Sequence, residues 1–66
     1  MQIGNNIIYR IKGKINWKRG IIQSFPANGL IEIGVPILDQ IYAHTLLIYK
    51  MDELDIALDQ PVNNGE

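Results

Sequence analysis

Apolar and polar residues alternate along much of the chain, which is the pattern of strands that bury one face. In the segment 7–12, the side chains of Ile7, Tyr9 and Ile11 are predicted to share a face. The clearest alternation runs from Leu30 to Ile37, where every second residue is Ile or Val. Both segments are therefore predicted to be strands.

A further strand is predicted between these two. Ile15 and Trp17 resume the alternation, and an apolar run continues from Ile21 to Phe25. Gly20 separates the two parts and permits a bulge or a tight bend. The motif PANG that follows at 26–29 is typical of a hairpin turn, because Asn-Gly readily adopts positive φ.

The segment 45–58 is compatible with two predictions. The run 46–49 extends a strand that begins near Ile41. Alternatively, a spacing of four, three and four residues aligns one helical face, formed by Leu47, Met51, Leu54 and Leu58. We expect a strand to about Tyr49, then a short turn or helix that begins near Asp52, since Asp is a good helix cap.

Together these elements predict an all-β protein, a small five-stranded barrel with a short C-terminal helix or turn. Short strands with turns about every eight to twelve residues are typical of small barrels and sandwiches. Gly20 and Gly34 are candidates for the bends that close such a barrel. One domain is predicted over residues 1–60, followed by a flexible, Asn-rich tail at 61–66.

Composition agrees with a small β-rich domain. Of the 66 residues, 47% are apolar and 13 are Ile, whose branched β carbon packs well on pleated surfaces. The chain has no cysteine, so neither a disulfide nor a thiolate metal site stabilises it. A chain of this length buries only about 60% of its unfolded surface, so an economical core or self-association is expected.

The location of the protein is predicted from what the sequence lacks. No apolar run approaches the roughly 18 residues of a membrane span. Residues 1–11 lack the basic start and apolar core of a secretory signal. A soluble, cytoplasmic protein with no membrane partner is therefore expected. Its abundant Ile and Asn are typical of A+T-rich coding sequences, such as many phage and bacterial genes have.

Charge is distributed unevenly along the chain. Residues 1–31 contain five basic and no acidic residues, whereas residues 32–66 contain seven acidic residues and one basic residue. This asymmetry indicates an electrostatic contact surface or two halves that attract each other, and simple solvated charges are the alternative. The net charge of −1 removes long-range repulsion between copies and so permits self-association.

The segment 9–19, YRIKGKINWKR, is the candidate binding site for RNA or single-stranded DNA. Its cations can neutralise phosphates, and its aromatic faces can stack on unpaired bases. The candidate nucleic-acid-binding residues are Arg10, Lys12, Lys14, Trp17, Lys18 and Arg19. The alternative is that Tyr9 and Trp17 fill the core while the lysines keep a hairpin soluble.

No catalytic activity, cofactor or metal site is predicted. The chain has a single histidine, His44, and metal sites usually need three or four donors. Asp52, Glu53, Asp55 and Asp59 lack the spacing and the central glycine of a calcium loop. A solvated acidic face is the expected role of these carboxylates.

Two resemblances extend this prediction. The run at 4–25, GNNIIYRIKGKINWKRGIIQSF, resembles the opening strands of SH3-like barrels of the Tudor, PWWP and chromo-barrel kind, with their W-x-x-G-x-I strand. The matching residues are Gly4, Ile8, Gly13, Trp17, Gly20 and Ile22. The resemblance covers about residues 4–56. It implies a five-stranded SH3-like barrel that serves as a binding or assembly module.

The segment 31–49, in which IEIGVP precedes IYAHTLLIY, is similar to the carbon storage regulator family of small dimeric RNA-binding proteins. The matching residues are Ile33, Gly34, Val35, Ala43, His44 and Tyr49. Thr45 stands where that family has an RNA-contacting arginine. Two functional hypotheses follow. The first is an assembly module that contacts itself or another protein through strands near 30–37 and 41–49, and the second is a nucleic-acid-binding regulator.

Overall fold

A computed structural model describes residues 1–37 and 40–59, and for 40–43 it describes only the backbone. The flexible tail predicted at 61–66 lies outside the described residues. Within the described ranges, five antiparallel strands form one sheet in the order β4-β3-β2-β1-β5. The strands are β1 (Asn6–Ile11), β2 (Lys18–Ser24), β3 (Leu30–Ile37), β4 (Gln40–Lys50) and β5 (Leu54–Leu58).

The prediction of an all-β, five-stranded protein with a short helical turn near its C-terminus is confirmed. The turn is a single 3-10 segment, Met51–Glu53, which connects β4 to β5. Backbone pairing does not close the sheet, because no ladder joins β4 to β5 within the described ranges. Among the described residues, the sheet therefore ends in two edges, one formed by β4 and one by β5.

The core lies on one face of the sheet and is built from alternate residues of four strands. Its buried members are Ile7, Tyr9, Ile22, Ile31, Ile33 and Leu54. The alternation predicted for 7–12 and 30–37 is thus confirmed over the central part of each strand, while Ile11 and Ile37 are exposed at the strand ends. Burial of each such side chain stabilises the fold by roughly 1.5–3 kcal/mol.

Gly20 is required by packing rather than by a bulge. It pairs with Ile7 across β1 and β2. A Cβ atom at Gly20 would clash with Cγ2 of Ile33 and would lie 3.1 Å from the carbonyl oxygen of Gly34. The irregularity of β2 lies elsewhere, because its register with β3 shifts between Ile22 and Ser24. The bulge or tight bend that Gly20 permits is therefore not found there, and the irregularity of β2 lies at 22–24.

The hairpin predicted at 26–29 is confirmed. Gly29 has a φ of +80°, which residues with a side chain rarely adopt. The backbone N–H of Leu30 donates to the carbonyl oxygen of Ala27 at 3.1 Å. The carbonyl oxygen of Gly29 accepts a hydrogen bond of 2.8 Å from the N–H of Met51. This bond ties the hairpin to the 3-10 turn.

The helical alternative for 45–58 is wrong. Residues to Lys50 continue β4, and Leu54–Leu58 forms β5 along the free side of β1. Beyond the last paired residues, the N–H of Asp59 donates to the carbonyl oxygen of Asn6 at 2.9 Å. Pairing with β1 thus supplies backbone partners that the local sequence alone does not specify.

Candidate functional site

The six residues predicted to bind nucleic acid belong to one hairpin. Arg10 lies on β1, and Lys18 and Arg19 open β2. Lys12, Lys14 and Trp17 lie in the connection between the two strands, where Ile15 is 84% exposed and no regular strand forms before Lys18. The alternation predicted at Ile15 and Trp17 is therefore not part of β2.

The two arginines form ion pairs with acidic residues of the C-terminal part of the chain. Nε of Arg10 donates to Oδ2 of Asp55 at 2.9 Å, across the pair of β1 and β5. Nε of Arg19 lies 3.5 Å from Oδ2 of Asp59. Both pairs are solvated, and such pairs contribute at most about 1 kcal/mol each. Part of the charge asymmetry thus reflects attraction between the two halves of the chain.

Tyr9 and Trp17 have different environments. Tyr9 is 1% exposed and belongs to the core, whereas Trp17 is 45% exposed. The Trp17 ring packs on Arg10, whose guanidinium carbon lies 4.6 Å from the ring centroid. The alternative in which both aromatic residues fill the core is therefore right for Tyr9 and wrong for Trp17.

The hairpin carries three lysines, Lys12, Lys14 and Lys18. None of them makes an ion pair with a residue that the structure describes. Two of them line an open cavity of about 250 Å³ beside the end of β1. The lining residues are Tyr9, Arg10, Ile11, Lys14, Asn16, Lys18 and Tyr49. Tyr49 comes from β4 and is a site residue that the basic segment alone could not reveal.

Two tyrosines form the inner wall of this cavity. The ring centroids of Tyr9 and Tyr49 are 5.7 Å apart, and the rings are tilted by 53°. The hydroxyl of Tyr9 is buried and makes no hydrogen bond of good geometry with a described residue, although Tyr49 is near enough to contribute as a weak partner. Burial raises the pKa of Tyr9 to about 12, and the neighbouring Tyr49 adds to the shift. The Tyr9 hydroxyl is therefore a neutral group with unused hydrogen-bonding capacity.

A second candidate surface lies on β4. Leu46 and Ile48 are 54% and 57% exposed and lie on the same side of the sheet, since residues two apart in a strand share a face. Across the ladder to β3, Leu46 is opposite Gly34 and Ile48 is opposite Glu32. Neither Gly34, which has no side chain, nor the charged Glu32 covers these large apolar side chains, and both Leu46 and Ile48 remain accessible.

Over residues 1–37 and 40–59, no group of three or more His, Cys, Asp or Glu side chains is arranged to hold a metal ion. His44 is exposed on β4. None of the described helical segments has the length and apolar character that a membrane crossing requires. The candidate surfaces are therefore the cavity beside β1 and the edge formed by β4.

Comparisons with protein-family models, curated proteins and solved structures give no match. The class of protein that the fold defines is a small all-β protein with one antiparallel sheet and a 3-10 turn before its last strand.

Proposed function

We propose that this protein is a non-catalytic assembly module of the SH3-like small-barrel class, and that it forms homodimers by pairing β4 of one copy with β4 of another. The five antiparallel strands and the short helical turn are compatible with that class. The observation that carries the proposal is the pair of exposed apolar side chains, Leu46 and Ile48, on a long edge strand.

The two edges of the sheet differ in their protection. Edge strands expose unpaired backbone groups, and proteins protect them with charges, prolines or short lengths. β5 has only five residues and contains Asp55. β4 has 11 residues, and its segment 45–49, TLLIY, contains neither a charge nor a proline. The β4 edge is therefore the one available for pairing.

A second copy of the chain is a fitting partner for this edge. An antiparallel pairing centred on Leu47 places Leu46 of each copy opposite Ile48 of the other. Cross-strand pairs of this kind stabilise a sheet, and the two-fold symmetry closes the assembly at a dimer. The net charge of −1 leaves little repulsion between copies.

Light scattering during size-exclusion chromatography tests this proposal. The wild-type chain is expected to have twice the mass of one chain at high concentration. The variant Leu46→Lys/Ile48→Lys is expected to be monomeric, because it places four ammonium groups in the interface. Ile15→Lys is the matched control, since Ile15 is 84% exposed on a different surface. A monomeric wild-type protein, or a dimer that all variants retain, would overturn the proposal.

Binding of single-stranded nucleic acid is the second candidate function. It is supported by Lys12, Lys14 and Lys18, which make no ion pair with the described residues, on the hairpin that exposes Trp17. A short oligonucleotide is expected to bind with an affinity that falls steeply with salt, and Lys14→Gln/Lys18→Gln is expected to flatten that dependence. Binding that is absent, or insensitive to salt, would exclude this candidate.

A further inference from the structure

The cavity beside β1 combines an apolar wall with two lysines that make no ion pair with the part of the chain that the structure describes. Ile11 and Tyr49 contribute apolar and aromatic surface, while Lys14 and Lys18 contribute two ammonium groups. Asn16 adds an amide that can donate and accept hydrogen bonds. Ligand sites are usually apolar clefts with a few polar groups that orient the ligand, and this cavity has that composition.

The buried hydroxyl of Tyr9 provides an independent indication of a ligand. Buried polar groups in native proteins nearly always have a hydrogen-bond partner, because leaving one unpaired is unfavourable. The Tyr9 hydroxyl makes no hydrogen bond of good geometry with a described residue, although a hydrogen-bonding contribution from the nearby Tyr49 is the smallest of the three causes of its raised pKa. Tyr9 lines the cavity, but its hydroxyl is shielded, so a polar atom of a bound molecule would satisfy it after a small shift of the ring or its neighbours.

Size and charge limit the class of ligand. The volume of about 250 Å³ lies just below the roughly 300 Å³ at which ligand sites usually begin, so only a small ligand fits. Arg10 is paired with Asp55, so Lys14 and Lys18 are the lining cations left to contact an anion. Asp52 and Glu53 lie on the other side of Ile11 and Tyr49, where they line an adjoining cavity. A compact molecule with an anionic group and a flat apolar body fits these features, because the anion can contact the lysines while the flat body packs on Tyr49.

We propose that this cavity is a binding site for one phosphate-bearing nucleotide, with the phosphate held by Lys14 and Lys18 and the base packed against Tyr49. A hydrogen bond from the nucleotide satisfies the Tyr9 hydroxyl. The proposal does not depend on self-association through β4. The nucleotide can be a free mononucleotide or the phosphorylated end of a nucleic-acid strand. Only in the second case does the proposal rest on the second candidate function, the binding of single-stranded nucleic acid.

Isothermal titration with four probes tests the proposal: AMP, adenosine, a 5′-phosphorylated single-stranded oligonucleotide and the same oligonucleotide without the phosphate. AMP or the phosphorylated strand is expected to bind more tightly than its unphosphorylated counterpart. Tyr9→Phe is expected to weaken that binding about tenfold, the effect of one lost hydrogen bond. Lys14→Gln/Lys18→Gln is expected to abolish the preference for phosphate. Lys50→Gln, a charge change on β4 outside the cavity, is the matched control and should bind as the wild type does.

The outcomes separate the sources and the proposals. Binding of AMP that depends on Tyr9 supports a free nucleotide, and binding of the phosphorylated strand alone supports a strand end. If the oligonucleotide binds with an affinity that changes neither with the terminal phosphate nor with Tyr9→Phe, the nucleotide site is overturned and the nucleic-acid-binding function is retained. The absence of binding by all four probes overturns both.

Discussion

The guanidinium carbon of Arg10 lies 4.6 Å from the ring centroid of Trp17. The same guanidinium donates through Nε to Asp55 at 2.9 Å. Arg10 therefore connects the irregular loop between β1 and β2 to strand β5, from the other end of the chain. This exposed loop is thus attached to the rest of the fold by the stacked cation and by the hydrogen bond of 3.0 Å that the N–H of Lys12 donates to the carbonyl oxygen of Glu53.

Trp17→Ala is expected to lower the free energy of unfolding by about 1 kcal/mol, because it removes the stacking on Arg10. Urea denaturation measures this loss. Ile15→Ala in the same loop is the control, and a change within about 0.5 kcal/mol is expected there because Ile15 is largely exposed. Equal losses for the two variants would show that Trp17 does not secure the loop.

The two glycines buried in the sheet are expected to respond differently to an added methyl group. Gly20→Ala is expected to lower the free energy of unfolding by about 3 kcal/mol, because its Cβ clashes with core residue Ile33. At Gly34 the nearest atoms belong to the flexible side chain of Gln23. Gly34→Ala is therefore expected to cost less than about 1 kcal/mol. Thermal unfolding of both variants distinguishes them, and similar losses would contradict the packing assigned to Gly20.

Tyr9→Phe is expected to leave the stability at neutral pH unchanged or to raise it by about 1 kcal/mol. The substitution keeps the ring in the core and removes a buried hydroxyl that makes no hydrogen bond of good geometry with a described residue. Urea denaturation at pH 7 provides the measurement. A loss of more than about 1 kcal/mol would mean that the hydroxyl has a partner in the folded protein.

The same variant tests the titration of Tyr9 at high pH. The pKa of Tyr9 is raised from 10.0 to about 12, so the folded protein holds this proton more tightly than the unfolded chain does. The resulting contribution to stability is complete below pH 10 and is lost as the pH rises through about 12. Tyr9→Phe is expected to reduce the fall in stability across this interval, by up to about 1.4 kcal/mol per pH unit. Identical slopes would contradict the shift.

Much of the fold could be predicted from strands in which apolar residues that face the core alternate with polar residues. In β1 and β3, alternate residues such as Ile7 and Ile33 are buried, so the period of two is visible in the sequence. β5 has no such signal, because the spacing of Leu54 and Leu58 also fits a helical face. It becomes a strand because β1 offers it a free edge, and that is a tertiary effect.

The segment that lines most of the candidate site could be predicted from the sequence. Which of its residues are buried, held in ion pairs or free to bind could not. The basic segment 9–19 does contribute most of the cavity lining. The pairing of Arg10 with Asp55 and of Arg19 with Asp59 depends on contacts between distant parts of the chain. For the same reason, the sequence does not identify Tyr49 as a site residue, since only the folded sheet brings it beside Tyr9.

Amide hydrogen exchange, followed residue by residue at low and high protein concentration, tests the proposed assembly most directly. Pairing between two copies of β4 is expected to slow the exchange of its outward-facing amides within 44–50 as the concentration rises. The amides of β5, the other edge of the sheet, are expected to exchange at a rate that does not depend on concentration. Exchange in β4 that is equally independent of concentration would contradict the account.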